Sequence, residues 1–222
     1  MYILKLYNTL FDLLFPEHCL GCGKFGTPLC TKCTHAIPRS GPTEFPYAHA
    51  VFSYKHPYIN KLIWEMKYSG NKRIAKVFAR YLAELLAQDI LDAAYFKSSY
   101  ILIPVPLSKK KQRIRGYNQA AWIAEETLRY LDPSIRKKIV YKPEFIERHH
   151  KEKSQARTKH RDERLSQIEG AFYVPEKMKS LMKNKNIILI DDVTTSGSTL
   201  IEIEQLLQKV GTKQVTAYTI AH

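Results

Sequence analysis

Residues 187–199 run Ile-Ile-Leu-Ile-Asp-Asp-Val-Thr-Thr-Ser-Gly-Ser-Thr, and this segment restricts the fold more than any other in the 222-residue chain. An aliphatic run without polar alternation suits a strand buried on both faces, as in a parallel sheet covered by helices. Asp191 and Asp192 must then sit at the strand's carboxyl rim, because two carboxylates inside the sheet would be desolvated without partners. There they can accept hydrogen bonds from vicinal hydroxyls, a demand that a sugar diol meets. Thr194, Thr195, Ser196, Gly197, Ser198 and Thr199 are all hydroxylic or glycine, so backbone N–H groups can wrap an anion while hydroxyls add donors. Leu200, Ile203, Leu206, Leu207 and Val210 then mark one face of a helix, and Thr199 with Glu202 matches a capping box that would start it. A helix N-terminus aimed into the loop favours phosphate through its dipole and free donors. The plainer alternative is a Ser/Thr/Gly turn whose acids only cap the loop.

The rest of the body alternates in the same way. Ala50–Tyr54 reads as a short strand, and Ile59, Leu62, Ile63 and Met66 fall at i, i+3, i+4 and i+7, one face of a helix. After a break at Ser69-Gly70-Asn71, Ile74, Val77, Phe78, Tyr81, Leu82, Leu85, Leu86 and Ile90 predict a second, longer helix. Ile101–Val105 is a brief apolar strand punctuated by Pro104 and Pro106, residues 117–131 read as helix, and Val215–Ile220 as a closing strand. Strands alternating with helices predict an α/β fold, a parallel sheet covered on both sides whose ligands bind outside the carboxyl ends of the strands.

The four cysteines are confined to Cys19-x-x-Cys22 and Cys30-x-x-Cys33. Two such knuckles offer four thiolates on tight turns, enough to close a tetrahedron around Zn²⁺, with Gly21, Gly23 and Gly26 supplying the turns. Four cysteines leave no open ligand position, so the zinc is expected to be structural. Two disulfides are the alternative, disfavoured by the reducing compartment expected of a chain without a signal peptide. A redox-active pair is disfavoured because no helix is expected after a knuckle in this Gly-rich stretch. Residues 2–15 resemble a signal peptide only superficially: Lys5 is the sole early cation and Asp12 interrupts the apolar segment. Lys5, Asn8, Thr9 and Asp12 instead recur opposite a wide apolar face, predicting an amphipathic helix over 1–15 that packs on the protein's own body. Pro38, Gly41, Pro42 and Pro46 mark a linker, so the chain divides into that helix, a zinc module over 16–45 and a body over 46–222.

Composition, at 45% hydrophobic and 25% charged, is that of a soluble globular chain, and no apolar run reaches the roughly 18 residues of a membrane-spanning helix. A net charge of +14 points to a polyanion, whether nucleic acid, phosphorylated metabolite or acidic membrane. Residues 1–47 carry only +1 of it, which places the anion site in the body. Lys109, Lys110, Lys111, Arg113 and Arg115 crowd one loop and Arg136-Lys137-Lys138 forms a second cluster, both candidate phosphate contacts or charged walls of a small-molecule site. Tyr117, Trp122, Tyr130 and Tyr141 are candidate base-stacking groups or core residues.

The 187–199 segment resembles the phosphoribosyl pyrophosphate (PRPP) motif of type I phosphoribosyltransferases. Three further stretches narrow the resemblance to the ComF family of competence-associated proteins: the paired knuckles, Ile103-Pro-Val-Pro-Leu107 leading to Arg115-Gly-Tyr-Asn-Gln119, and Ser154-Gln155 through Arg164 to Gly170-Ala-Phe172. The resemblance implies a type I phosphoribosyltransferase-like parallel sheet with flanking helices and a flexible hood, plus a small zinc ribbon-like module. It makes Pro106, Leu107, Ser108 and Lys109 the pyrophosphate loop, Asp191 and Asp192 the ribose-hydroxyl acids, and Thr194–Thr199 the 5-phosphate loop. Residues 148–164, with seven Lys/Arg against three Asp/Glu, would be the hood, and Lys159, Arg161 and Arg164 its catalytic cations. Mg²⁺ is expected to accompany PRPP. The implied function is PRPP binding in natural transformation, with single-stranded DNA and other DNA-uptake proteins as partners. The location would be cytoplasmic, with membrane association through the competence machinery as a further expectation. The alternative is a conventional transferase moving ribose 5-phosphate from PRPP to a nitrogenous base in nucleotide salvage; the resemblance identifies no acceptor base.

Overall fold

The computed structural model describes residues 17–91, 98–149 and 170–222. The amphipathic helix expected over 1–15 and most of the hood lie outside them. In chain order the elements are α1 (Thr31–His35), β1 (Ala48–Phe52), α2 (Pro57–Tyr68), α3 (Lys72–Leu91), β2 (Tyr100–Pro104), α4 (Lys109–Arg115), α5 (Gln119–Tyr130), α6 (Pro133–Arg136) and β3 (Ile139–Tyr141). A 3₁₀ turn (Pro143–Phe145), β4 (Glu147–Arg148), β5 (Phe172–Tyr173), α7 (Glu176–Met182), β6 (Asn186–Val193), α8 (Ser198–Val210) and β7 (Gln214–Ala221) follow.

Five strands form one parallel sheet in the order β1-β7-β6-β2-β3, while β4 and β5 make a small antiparallel pair. The sheet arises where the aliphatic runs required it: Ile187, Ile188, Leu189 and Ile190 are all buried, because β6 is central and covered on both faces. On one side Ile188 and Ile190 meet Ile59, Leu62, Ile63 and Met66 of α2, Phe78 and Leu82 of α3 and Ile123 of α5. On the other, Ile187 and Leu189 meet Met182 of α7 and Leu200, Ile203 and Leu207 of α8. The helical apolar stripes read from the sequence are therefore the two halves of the core.

Chain direction through the sheet fixes where a ligand can go. From β2 the chain passes through α5 to β3 at one edge; from β6 it passes through α8 to β7 on the opposite side. Neighbours β2 and β6 thus send their connections apart, and the crevice at their carboxyl ends is the topological switch point of the sheet.

Three local expectations are corrected. Lys109–Arg115 is a short helix rather than a loop, started by Ser108, whose Oγ accepts from the Lys111 N–H at 3.3 Å, and ended by Gly116 in the left-handed region. The proposed capping box does not form. Gly197, at φ 66°, precedes Ser198 as the N-cap, and Glu202 Oε1 instead accepts from the Phe172 N–H at 3.2 Å, tying α8 to β5. A helix, α1, does begin directly after Cys30, where none was expected. The two basic clusters stand at opposite ends of the sheet: Lys109 follows the carboxyl end of β2, whereas the Lys138 carbonyl accepts from Tyr100 at its amino end. Among the described residues no helix is long and apolar enough to cross a membrane.

Candidate functional site

Strand alternation places the two acids. Asp192 follows Ile188 and Ile190 on the face covered by α2, whereas Asp191 follows Ile187 and Leu189 on the face covered by α8. At the strand end the pair therefore straddles the sheet. Asp192 is buried and its Oδ1 lies 2.9 Å from Lys67 Nζ, in the last turn of α2. Asp191 Oδ1 accepts from the Asp192 N–H at 2.8 Å. Desolvation by the surrounding protein, followed by the neighbouring Asp192 charge, pushes the Asp191 carboxyl up to about 8 against weaker pulls from that amide, Lys67 and Lys111. One acid is thus paired with an ammonium, and the other is left needing a donor or a cation.

The hydroxyl-rich segment wraps a hollow of about 50 Å³ lined by Asp191 and Val193–Leu200. Its backbone is anchored at one end by the Thr194 N–H, which donates to the Ala221 carbonyl at 3.1 Å. At the other end, Gly197 in the left-handed conformation turns the chain into α8, whose first amides lack intrahelical acceptors by construction. Thr194 is buried with its Oγ1 unpartnered, a hydroxyl held where a ligand oxygen would complete it. Phe45, from the segment before β1, lies over this turn: a Cβ on Gly197 would fall 2.2 Å from its ring.

Across the switch point, Pro106, Leu107, Ser108 and Lys109 leave β2 beside the acids. Asn118, the N-cap of α5, holds this segment by donating from Nδ2 to the Val105 carbonyl at 3.0 Å while Oδ1 accepts from Ala120 N–H at 3.0 Å. The Val105 N–H donates to the Ile190 carbonyl at 2.8 Å, so the two candidate phosphate loops spring from hydrogen-bonded strands. Lys159, Arg161 and Arg164 lie outside the described residues. A larger cavity, about 460 Å³, opens at the amino ends of β2, β6 and β7, away from the acids and the hydroxyl-rich loop.

The four thiols form a separate centre. Ligand atoms of Cys19, Cys22, Cys30 and Cys33 all lie within 4.8 Å of one another, and Cys22 and Cys30 Sγ are 3.6 Å apart. A tetrahedron with Zn–S bonds of about 2.3 Å has S···S edges of about 3.8 Å, so the set fits that ion. The Cys30 N–H donates to Cys19 Sγ at 3.3 Å. Burial acts against ionisation of Cys19, but backbone donors from Cys30, Cys22 and Gly21 prevail and bring it down to about 6. Gly21 is required by close approach, since a Cβ there would fall 2.8 Å from Cys33 Sγ. The module is bound to the body by Glu17 with Asn71 and Arg73, and by Arg39 stacked on Phe52 and Tyr81.

Sequence reasoning missed Lys67, Asn118 and Phe45. Lys67 sits on the flank of an amphipathic helix, where a lysine reads as solvated; only the tertiary placement of α2 beside β6 brings it to Asp192. Asn118 had a weak signal, an Asn preceding a helix. Tyr117 and Trp122 stack on each other at 3.9 Å, and the Tyr117 hydroxyl donates to the Met66 carbonyl, so packing already uses both.

The phosphoribosyl transferase domain family matches residues 119–222, the part of the chain that holds both acids and the hydroxyl-rich loop. Competence protein ComFC of Streptococcus pneumoniae is 27% identical over 96% of this chain and 84% of its own. Competence protein F of Haemophilus influenzae is 31% identical over 72% of this chain and 66% of its own. DNA utilization protein YhgH of Escherichia coli is 23% identical over 91% and 82%. With the clustered cysteines, the phosphoribosyltransferase-type sheet and these relatives spanning most of its length, the chain belongs to the ComF family of competence proteins.

Proposed function

We propose that this protein binds PRPP at the carboxyl ends of β2 and β6 and acts in the handling of incoming single-stranded DNA during natural transformation. The observation that carries the reading is the meeting, at one switch point, of an acid pair, a hydroxyl-lined loop with an orphan Thr194 hydroxyl, and a second loop leading into five cations. The competence and DNA-utilization names of the relatives favour this role over nucleotide salvage.

In this reading Asp191 and Asp192 accept from the ribose hydroxyls, with Lys67 holding Asp192 in place. The amides and hydroxyls of Thr194–Thr199 bind the 5-phosphate, and Pro106–Lys109 receive the pyrophosphate. Lys159, Arg161 and Arg164 are assigned to stabilise departing pyrophosphate charge should the glycosidic carbon be attacked. Among the described residues the cysteines are the sole group of three or more metal-ligating side chains, so Mg²⁺ would be held largely by the oxygens of PRPP itself. The thiols of 16–45 hold a structural zinc, and 46–222 forms the nucleotide-binding body. A cytoplasmic location follows from PRPP as ligand, with other DNA-uptake proteins as partners and as the route to membrane association.

Calorimetric titration of PRPP with Mg²⁺ tests the assignment. Replacing Asp191 and Asp192 together by Asn removes two carboxyl acceptors, worth about 2–4.5 kcal/mol together, so affinity should fall about thirtyfold or more while unfolding stays cooperative. Equal affinity in the parent and the double variant would remove the site from β6.

A further inference from the structure

Beside this site lies an aromatic surface that packing leaves bare. Trp64 and Tyr68, 58% and 59% exposed, lie one turn apart on the solvent side of α2, their ring centroids 5.1 Å apart. The other face of α2, carrying Ile59, Leu62, Ile63 and Met66, is buried, so these rings add nothing to the core. The Arg115 guanidinium lies 5.1 Å from the Tyr68 ring centroid and is held from behind by a 3.0 Å hydrogen bond from Nη1 to Gln119 Oε1. Through Arg115 the rings run into α4, which carries Lys109, Lys110, Lys111, Arg113 and Arg115, no acid and no buried residue, with Ile114 72% exposed among them.

The chemistry of the occupant follows from the two halves. Five cations without an acid call for a polyanion. Bare rings beside a stacked guanidinium call for flat, electron-rich faces. An acidic peptide lacks the faces, and a duplex hides them within its base stack. An interfacial membrane helix needs a continuous apolar stripe, whereas the stripe of α2 is already buried and its two exposed rings stand at 44° to each other as separate stacking faces. A single-stranded nucleic acid supplies both unstacked bases and regularly spaced phosphates.

We propose that Trp64 and Tyr68, with Arg115 beside them, form the base-stacking half of a single-stranded nucleic-acid site whose phosphate half is α4. The proposal rests on the DNA-handling reading above and gives it a surface. Because α4 grows from the Pro106–Ser108 segment, a strand bound there crosses the mouth of the PRPP site.

The test uses the full chain and two probes of equal length, an oligothymidylate and an abasic oligonucleotide, followed by fluorescence anisotropy across a salt series. Trp64 and Trp122 are the only tryptophans, so in a Trp122→Phe background quenching reports Trp64 alone. Oligothymidylate should quench it and bind about tenfold or more tighter than the abasic strand. Replacing Trp64 and Tyr68 by Ala should bring oligothymidylate down to the abasic affinity without changing the slope of log affinity against log salt. Replacing Lys109, Lys110 and Lys111 by Ala should flatten that slope for both probes. Unchanged PRPP binding in the ring variant shows that it is folded. Equal affinity for the two probes, or a ring variant that binds oligothymidylate like the parent, overturns the stacking site while leaving DNA handling intact. Failure of the parent to bind either probe overturns both readings. Quenching by anionic phospholipid vesicles but not by oligothymidylate makes the surface a membrane contact and overturns the proposal.

Discussion

Asp191 and Asp192 are adjacent in sequence yet meet different surroundings, because a strand sends successive side chains to opposite faces. Lys67 neutralises one, while desolvation and its neighbour's charge push the other up to about 8. This makes stability depend on pH in a stated direction. A carboxyl raised in the folded state binds more protons there than in the unfolded chain, so unfolding free energy falls as pH rises from about 4 to about 8 and is flat above. Asp191→Asn abolishes that contribution. Melting curves of the ligand-free protein should show parent and variant close at pH 5 and the Asn variant more stable at pH 8. Parallel profiles across that range would show that Asp191 is ionised throughout.

At the scale of an element, the turn from β6 into α8 depends on Gly197 for two separate reasons. Its φ of 66° costs a residue with a Cβ about 1–2 kcal/mol, and the Phe45 ring occupies the space a Cβ would need. Gly197→Ala should therefore destabilise by more than the backbone cost alone. Adding Phe45→Ala should recover the steric part and leave the backbone part, giving a coupling in a double-mutant cycle read by urea unfolding. Strict additivity would mean that Phe45 does not rest on the turn in solution. The expected Thr199–Glu202 capping box failed for a related reason: tertiary structure offered Glu202 the amide of Phe172, and a local motif yields when a better-placed partner exists.

At the scale of the molecule, a thiol cluster is tied to an α/β body that has its own two-sided core. In the proposed reading, metal binding would supply folding free energy to the small module, whose short knuckles and five-residue helix bury little by themselves. Cys22→Ser should reduce bound zinc from one per chain to well below it, measured by elemental analysis. Hydrogen exchange should then show residues 17–38 losing protection while β2, β6 and β7 keep theirs. Well under one zinc in the chelator-free parent would remove the metal, and loss of protection throughout would make the module part of the body's folding unit.

Much of this protein was written locally. The aliphatic run of β6, the stripes of α2, α3 and α8, and the spacing of four cysteines each constrain a few neighbouring residues, and the physics that reads them acts over one turn or one pleat. They determine the sheet, the thiol cluster and the segment that holds the acids. Lys67 against Asp192, Phe45 on Gly197, and the rings of Trp64 and Tyr68 left bare beside Arg115 join residues distant in sequence, or depend on which face a helix turns to the core. Periodicity leaves Trp64 and Lys67 alike off the apolar stripe of α2 and does not say what either one faces. Only the pairing of β2 with β6 at the switch point, with α2 laid alongside, decides that this lysine faces a carboxylate and that this tryptophan stays bare.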